Sequence, residues 1–167
     1  MIGTGRSGIF KKYFMGSMAL KIIDELNGVT IAVPPDFETH FPHNLTIAVT
    51  YKYPLNRNAF STFLGAIKNF IESVHFISIV LPGEKLNKAH EYLLNLTHEC
   101  EHNIHCTYDI FEGESAFQEI KNFVMDNPNT MLVVQKGSRT ISDHFLRKFL
   151  INDLVHDNSL PLIVIPT

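Results

Sequence analysis

Val29-Thr-Ile-Ala-Val-Pro34 and Pro161-Leu-Ile-Val-Ile-Pro166 are the two stretches on which the reading of this 167-residue chain turns. Each is a short, nearly all-apolar run closed by proline, the pattern of a strand covered on both sides. A gapless shift of 132 positions lays the first on the second, bringing Ile31 onto Ile163 and Pro34 onto Pro166. The same shift brings Gly5 onto Gly137 and Ile9 onto Ile141. The apolar pattern follows, with Tyr13-Phe14 over Phe145-Leu146, Met18 over Leu150 and Ile22-Ile23 over Leu154-Val155. Residues 1–35 and 133–167 therefore read as two copies of one series: strand end, glycine-containing loop, amphipathic helix, closing strand. The implied repeat of about 130 residues is a common domain size. On that reading residues 1–35 are the tail of a first domain.

Between the copies the chain alternates regularly. A helix around 10–26 carries Phe14, Met18, Ile22 and Leu26 at four-residue spacing and stops at Asn27-Gly28. Residues 36–44, with the prolines just before them, have no periodicity and read as a linker. From Leu45 the spacing predicts strands over 45–50, 76–81, 104–111, 131–134 and 162–165. Helices are predicted over 58–73, 86–101, from about 115 to 126, and 143–155, with Ser115-x-x-Gln118 as a capping box. Short continuous apolar runs alternating with helices point to a three-layer α/β/α fold around a five-stranded, mostly parallel, Rossmann-like sheet. The expected organisation is a helix-strand segment at 1–35, a linker at 36–44 and a complete second domain at 45–167.

The chain is 45% hydrophobic and 19% charged, enough to bury one substantial core. Its net charge of −3 gives no general affinity for nucleic acid or an acidic membrane surface. No apolar run approaches the roughly 20 residues that span a bilayer, and Gly3 to Lys12 is polar and glycine-rich. A cytoplasmic protein is expected, with Cys100 and Cys106 as two free thiols.

The N-terminal copy, Gly3-Thr-Gly-Arg-Ser-Gly8 followed by Gly16-Ser17, a helix and a proline-closed strand, resembles the end of a universal stress protein domain. The resemblance implies the α/β alternation just derived, and tandem members of that family carry two such domains in one chain. Members that bind ATP have Gly-x-x-Gly, nine residues, then Gly-Ser or Gly-Thr, because backbone N–H groups at a helix N-terminus cradle phosphates. Here Gly3 holds the first glycine place and Gly16-Ser17 the last pair, while Arg6 holds the middle place with Gly5 one early. In the second copy the same columns read Gln135, Ser138 and Lys148-Phe149. The family's aspartate after the first strand falls on Tyr51, and no carboxylate lies between Leu45 and Glu72.

The resemblance thus implies a non-catalytic universal stress protein-like chain of tandem type, with a regulatory or interaction role in the stress response and a degenerate nucleotide site. No cofactor is expected. The alternative is an ATP-binding module built on Gly3, Gly5, Gly8, Gly16 and Ser17. Gly137, Ser138 and Arg139, beside Lys136, Arg147 and Lys148, form a candidate anion site. A homodimer through the last strands or the N-terminal helix is expected, along with unknown protein partners. His98, Cys100, His102, His105 and Cys106 have zinc-ligand chemistry but lack paired spacing, so no metal is expected. His40, His43, His75, His90, His144, Ser17 and Ser138 form no nucleophile-base set, and no enzyme is expected.

Overall fold

The computed structural model describes residues 2–3, 21–33, 42–101, 104–137 and 161–167. In chain order the elements are β1 (Ile2–Gly3), the helical residues 21–25 (α1), and β2 (Thr30–Val33). Then come β3 (Asn44–Ala48), α2 (Arg57–Ile67), β4 (Ser73–Val80), α3 (Leu86–Cys100) and β5 (His105–Glu112). The chain continues with α4 (Ala116–Asp126), β6 (Thr130–Gln135) and β7 (Leu162–Ile165). The protein is α/β, with a mostly parallel sheet flanked by helices. Two compact units make it up, one of Met1–Phe41 with Val133–Thr167 and one of Pro42–Leu132.

In the unit of Pro42–Leu132 the strand order is β6-β3-β4-β5. β3 runs parallel to β4 with Leu45 opposite Val74 and Ile47 opposite Phe76. β4 runs parallel to β5 with Val74 opposite Cys106 and Ile79 opposite Phe111. Successive side chains on a strand point to opposite faces. α2 and α3 pack on the Phe76 face, where the rings of Phe60 and Phe76 meet edge-on at 6.0 Å. α4 packs on the His75 face, where Phe123 reaches both His75 and Phe111. Leu45, Ile47, Val74, Phe76 and Ile77 are all but inaccessible between the layers. Each such side chain stabilises the fold by about 1.5–3 kcal/mol relative to exposure. Asn56 opens α2 by accepting the Ala59 N–H at 3.0 Å, and Ser115 opens α4 by accepting that of Gln118. The capping box read from Ser115 and Gln118 is therefore formed on its serine side.

In the other unit the order is β1-β2-β7-β6. β1 is parallel to β2, and β2 is antiparallel to β7 with Thr30 opposite Val164, Ile31 opposite Ile163 and Ala32 opposite Leu162. The shift of 132 found in the sequence carries β2 onto β7 end to end and places β1 within β6. The repeat-equivalent pair Ile31 and Ile163 sits at the centre of the antiparallel contact, the arrangement a local two-fold relation gives. Both copies of the repeat thus fall in one unit.

Several expectations are corrected. The seven described strands are the five expected over 45–167 with the strand end and the closing strand expected in the N-terminal segment, but their bounds and surroundings differ. β2 is not covered on both sides: Thr30 and Ala32 are buried, whereas Ile31 and Val33 are half-buried. At the end of the N-terminal helix Ile23 is 2% exposed while Leu26, of the expected stripe, is 52% exposed; Phe14 and Met18 of that stripe lie outside the described residues. α2 ends at Ile67, leaving Phe70 outside its apolar face and exposed. Cys100 and Cys106 are joined as a disulfide rather than free. Among the described residues no helix is long and apolar enough to cross a membrane.

Candidate functional site

Two ends of the Pro42–Leu132 unit carry concentrated polar chemistry. At the carboxyl ends of β3 and β4, the loop 49–56 lies against the turn 81–85. The Tyr51 hydroxyl accepts the Lys85 N–H at 3.2 Å, where α3 begins. Lys52 Nζ stands 2.7 Å from Glu84 Oε1, and Glu84 Oε2 accepts the Leu81 N–H. The Tyr92 hydroxyl accepts the Leu55 N–H at 2.7 Å. Phenol, carboxylate and ammonium groups of the chain itself thus occupy this crest. Tyr51, the residue in the aspartate's place, serves the backbone of α3.

The opposite end is open. The first residues of β3, β4 and β5, together with the end of α4, line a cleft of about 490 Å³. Its floor is two rows of side chains on one sheet face. Asn44 and Ser73 make the outer row, with Ser73 Oγ donating to Asn44 Oδ1 at 2.7 Å; His105 stands opposite Ser73 in the register. Thr46, His75 and Thr107 make the inner row, opposite one another across three strands. Thr46 Oγ1 shares a 2.9 Å hydrogen bond with Thr130 Oγ1, and His75 Nδ1 one of 2.6 Å with Thr107 Oγ1. Asn44 also donates from Nδ2 to the Asn129 carbonyl. The threonine and asparagine groups are thus largely satisfied among themselves, which lets polar side chains sit in a sheet.

His75 is less settled. Its ring stacks on Phe123 with centroids 5.2 Å apart and planes within 4°. Asp109 Oδ2 lies 3.2 Å from Nε2 without meeting hydrogen-bond geometry, so Nε2 is buried with no hydrogen-bond partner. Burial pushes the imidazole below its ordinary value, and Asp109 offsets that only in part. The ring is therefore neutral near pH 7.

Of the residues singled out in the sequence, His75 and His105 line this cleft. Gly3 is the last residue of β1, opposite Val33 of β2. Gly5, Gly8, Gly16 and Ser17 lie outside the described residues, as do Ser138, Arg139, His40, His102 and His144. Gly137 follows β6. Beside it, the Lys136 ammonium donates to the carbonyls of Asp24 and Leu26. A cation there complements the negative end of α1. His43 approaches Glu72 at 3.9 Å, and His90 Nε2 lies 3.1 Å from the Tyr108 hydroxyl on the other sheet face. Among the described residues no three His, Cys, Asp or Glu side chains are grouped to hold a metal. The cleft itself was missed, although period-two polar residues at the starts of three strands (Asn44-x-Thr46, Ser73-x-His75, His105-x-Thr107-x-Asp109) announce it.

No protein-family model matches the chain, and no curated protein matches it. Among solved structures it is similar to a universal stress protein from Archaeoglobus fulgidus DSM 4304, with a TM-score of 0.70 and 14% sequence identity. The similarity covers 99% of this chain and 59% of that one, so the chain spans somewhat over half the length of the structure it resembles. At this identity the likeness is one of fold.

Proposed function

We propose that the chain is a non-catalytic, universal stress protein-like module of tandem type, cytoplasmic, acting in the stress response through association with itself or other proteins. Its crest is degenerate as a nucleotide site. The observation that carries this reading is the bond from the Lys85 N–H to the Tyr51 hydroxyl, beside the Lys52–Glu84 pair. In open α/β sheets, ligands sit beyond the carboxyl ends of the strands. Here that ground in the Pro42–Leu132 unit is taken by the chain's own side chains, and a phenol stands where the family pattern asks for a carboxylate. Displacing one satisfied hydrogen-bonding partner costs about 1–3 kcal/mol, and each 1.4 kcal/mol is about tenfold in affinity.

Calorimetry with ATP, repeated with inorganic triphosphate, tests the reading. No binding at micromolar concentration, or weak binding indifferent to adenine, is the expected result. Micromolar, adenine-dependent binding would replace it with the ATP module on Gly3, Gly5, Gly8, Gly16 and Ser17.

For self-association the N-terminal helix is the proposed contact. The strands β2 and β7 each have neighbours on both sides within the chain, so neither offers a free edge. Leu26 and Val29, at the end of α1 and just after it, are 52% and 41% exposed.

A further inference from the structure

The cleft at the amino ends of β3, β4 and β5 lies at the other end of the strands from the crest and is independent of the nucleotide question. Its size falls in the range of small-ligand sites, about 300–1,000 Å³. Its electrostatics are one-sided. Asp109 and Asp126 both line it, and no lysine or arginine does. α4 ends at Asp126 and is capped by Asn127, both on the cleft wall. The carboxyl end of a helix carries partial negative charge and favours cations. Of the two histidines on the cleft, His75 is held below its ordinary pKa by burial, which lessens the positive charge it sets against the carboxylates. The stacked rings of His75 and Phe123 supply a flat, partly apolar wall, and aromatic faces attract cations.

A metal ion would want several ligands grouped at one point, and among the described residues none are. An anion would meet two carboxylates and a helix carboxyl terminus. What remains suited to the space is a molecule with both a positive head and a body. We propose that this cleft binds a small organic cation, an amine or guanidinium compound, held by the carboxylates of Asp109 and Asp126 against the stacked rings of His75 and Phe123. Asp109 is the principal contact, because its side chain is 59% exposed and reaches the cleft beside His75. The ligand's N–H groups make charge-assisted hydrogen bonds to it, which are stronger than neutral ones.

The test titrates the full chain with agmatine, a compact molecule with a guanidinium and an ammonium group, and in parallel with glutarate, a dianion of comparable length. Binding is followed by calorimetry and by amide shifts of Thr107 and Asp109. Saturable agmatine binding with shifts at those positions is expected, and none with glutarate. Asp109→Asn, near-isosteric and at an exposed position, should weaken binding about tenfold, the worth of one such contact. Asp126→Asn gives an independent second reading should the first variant melt early. Tyr51→Phe, at the crest, should leave agmatine binding unchanged. Three results would overturn the proposal: no agmatine binding at millimolar concentration, glutarate binding equally well, or full agmatine affinity in both asparagine variants.

Discussion

His75 holds three relations at once: a ring stacked on Phe123, Nδ1 on Thr107 and Nε2 beside Asp109. Burial outweighs the carboxylate, so its folded pKa lies below the ordinary 6.5. The unfolded chain therefore takes up this proton more readily than the folded one. The stability this residue contributes is present above about pH 6.5 and is lost as pH falls through the lower folded value. His75→Gln should accordingly narrow the gap in melting temperature between about pH 7.5 and about pH 5. An unchanged gap would show that the ring does not titrate in this way. Two glycines make an opposed pair at the same scale. Gly83 holds φ at +84° in the turn after β4, and Gly65 lies within α2; a Cβ at either meets nothing within 4 Å. Gly83→Ala should cost about 1–2 kcal/mol of backbone strain. Gly65→Ala should stabilise by roughly 0.5–1 kcal/mol. Urea midpoints of the two variants should move in opposite directions.

Among the elements, β2 shows how far an apolar run can be read. Val29–Val33 looks like a strand buried on both faces, and in the structure β2 pairs antiparallel with Leu162–Ile165. The register places Thr30 and Ala32 inward and leaves Ile31 half-buried. A charge at Ala32 is therefore buried without a partner, whereas one at Ile31 can reach water along its stem. Ala32→Lys should destabilise by several kcal/mol and Ile31→Lys by clearly less, a ranking that denaturant melts can reverse or confirm. Strand existence was legible because β4, β6 and β7 keep continuous apolar runs. The starts of β3, β4 and β6 were not, because Asn44, Ser73 and Thr130 are residue types that usually mark loops. They enter the sheet because their side chains, Asn44 with Ser73 and Thr46 with Thr130, satisfy one another. The misplaced boundaries and the missed cleft therefore have one cause. The glycine loop was the more visible motif, and most of it lies outside the described residues.

At the scale of the whole molecule, the repeat decides which surfaces are spent and which are left. The shift of 132 maps β2 onto β7, and the two pair with Ile31 opposite Ile163, so a contact that could have joined two chains is closed within one. Association through the last strands would require opening that pair and exposing backbone groups that must then find new partners. The end of α1 has no such obstacle. Ile23 is buried there, while Leu26 and Val29 present apolar surface close to each other in sequence. The ammonium of Lys136 fixes this end by donating to the carbonyls of Asp24 and Leu26. Held in place, Leu26 does not have to lose much backbone freedom on contact, which lowers the cost of association. Light scattering at micromolar concentration should therefore give the mass of two chains. Leu26→Lys should shift it to one without lowering the melting point of the dilute protein, since an exposed leucine contributes little to the core. Ile163→Ala, at the internal strand pair, should do the reverse, costing stability by about 2–5 kcal/mol while leaving the mass at two. A dimer lost in the Ile163 variant and kept in the Leu26 variant would place the interface on the strands instead.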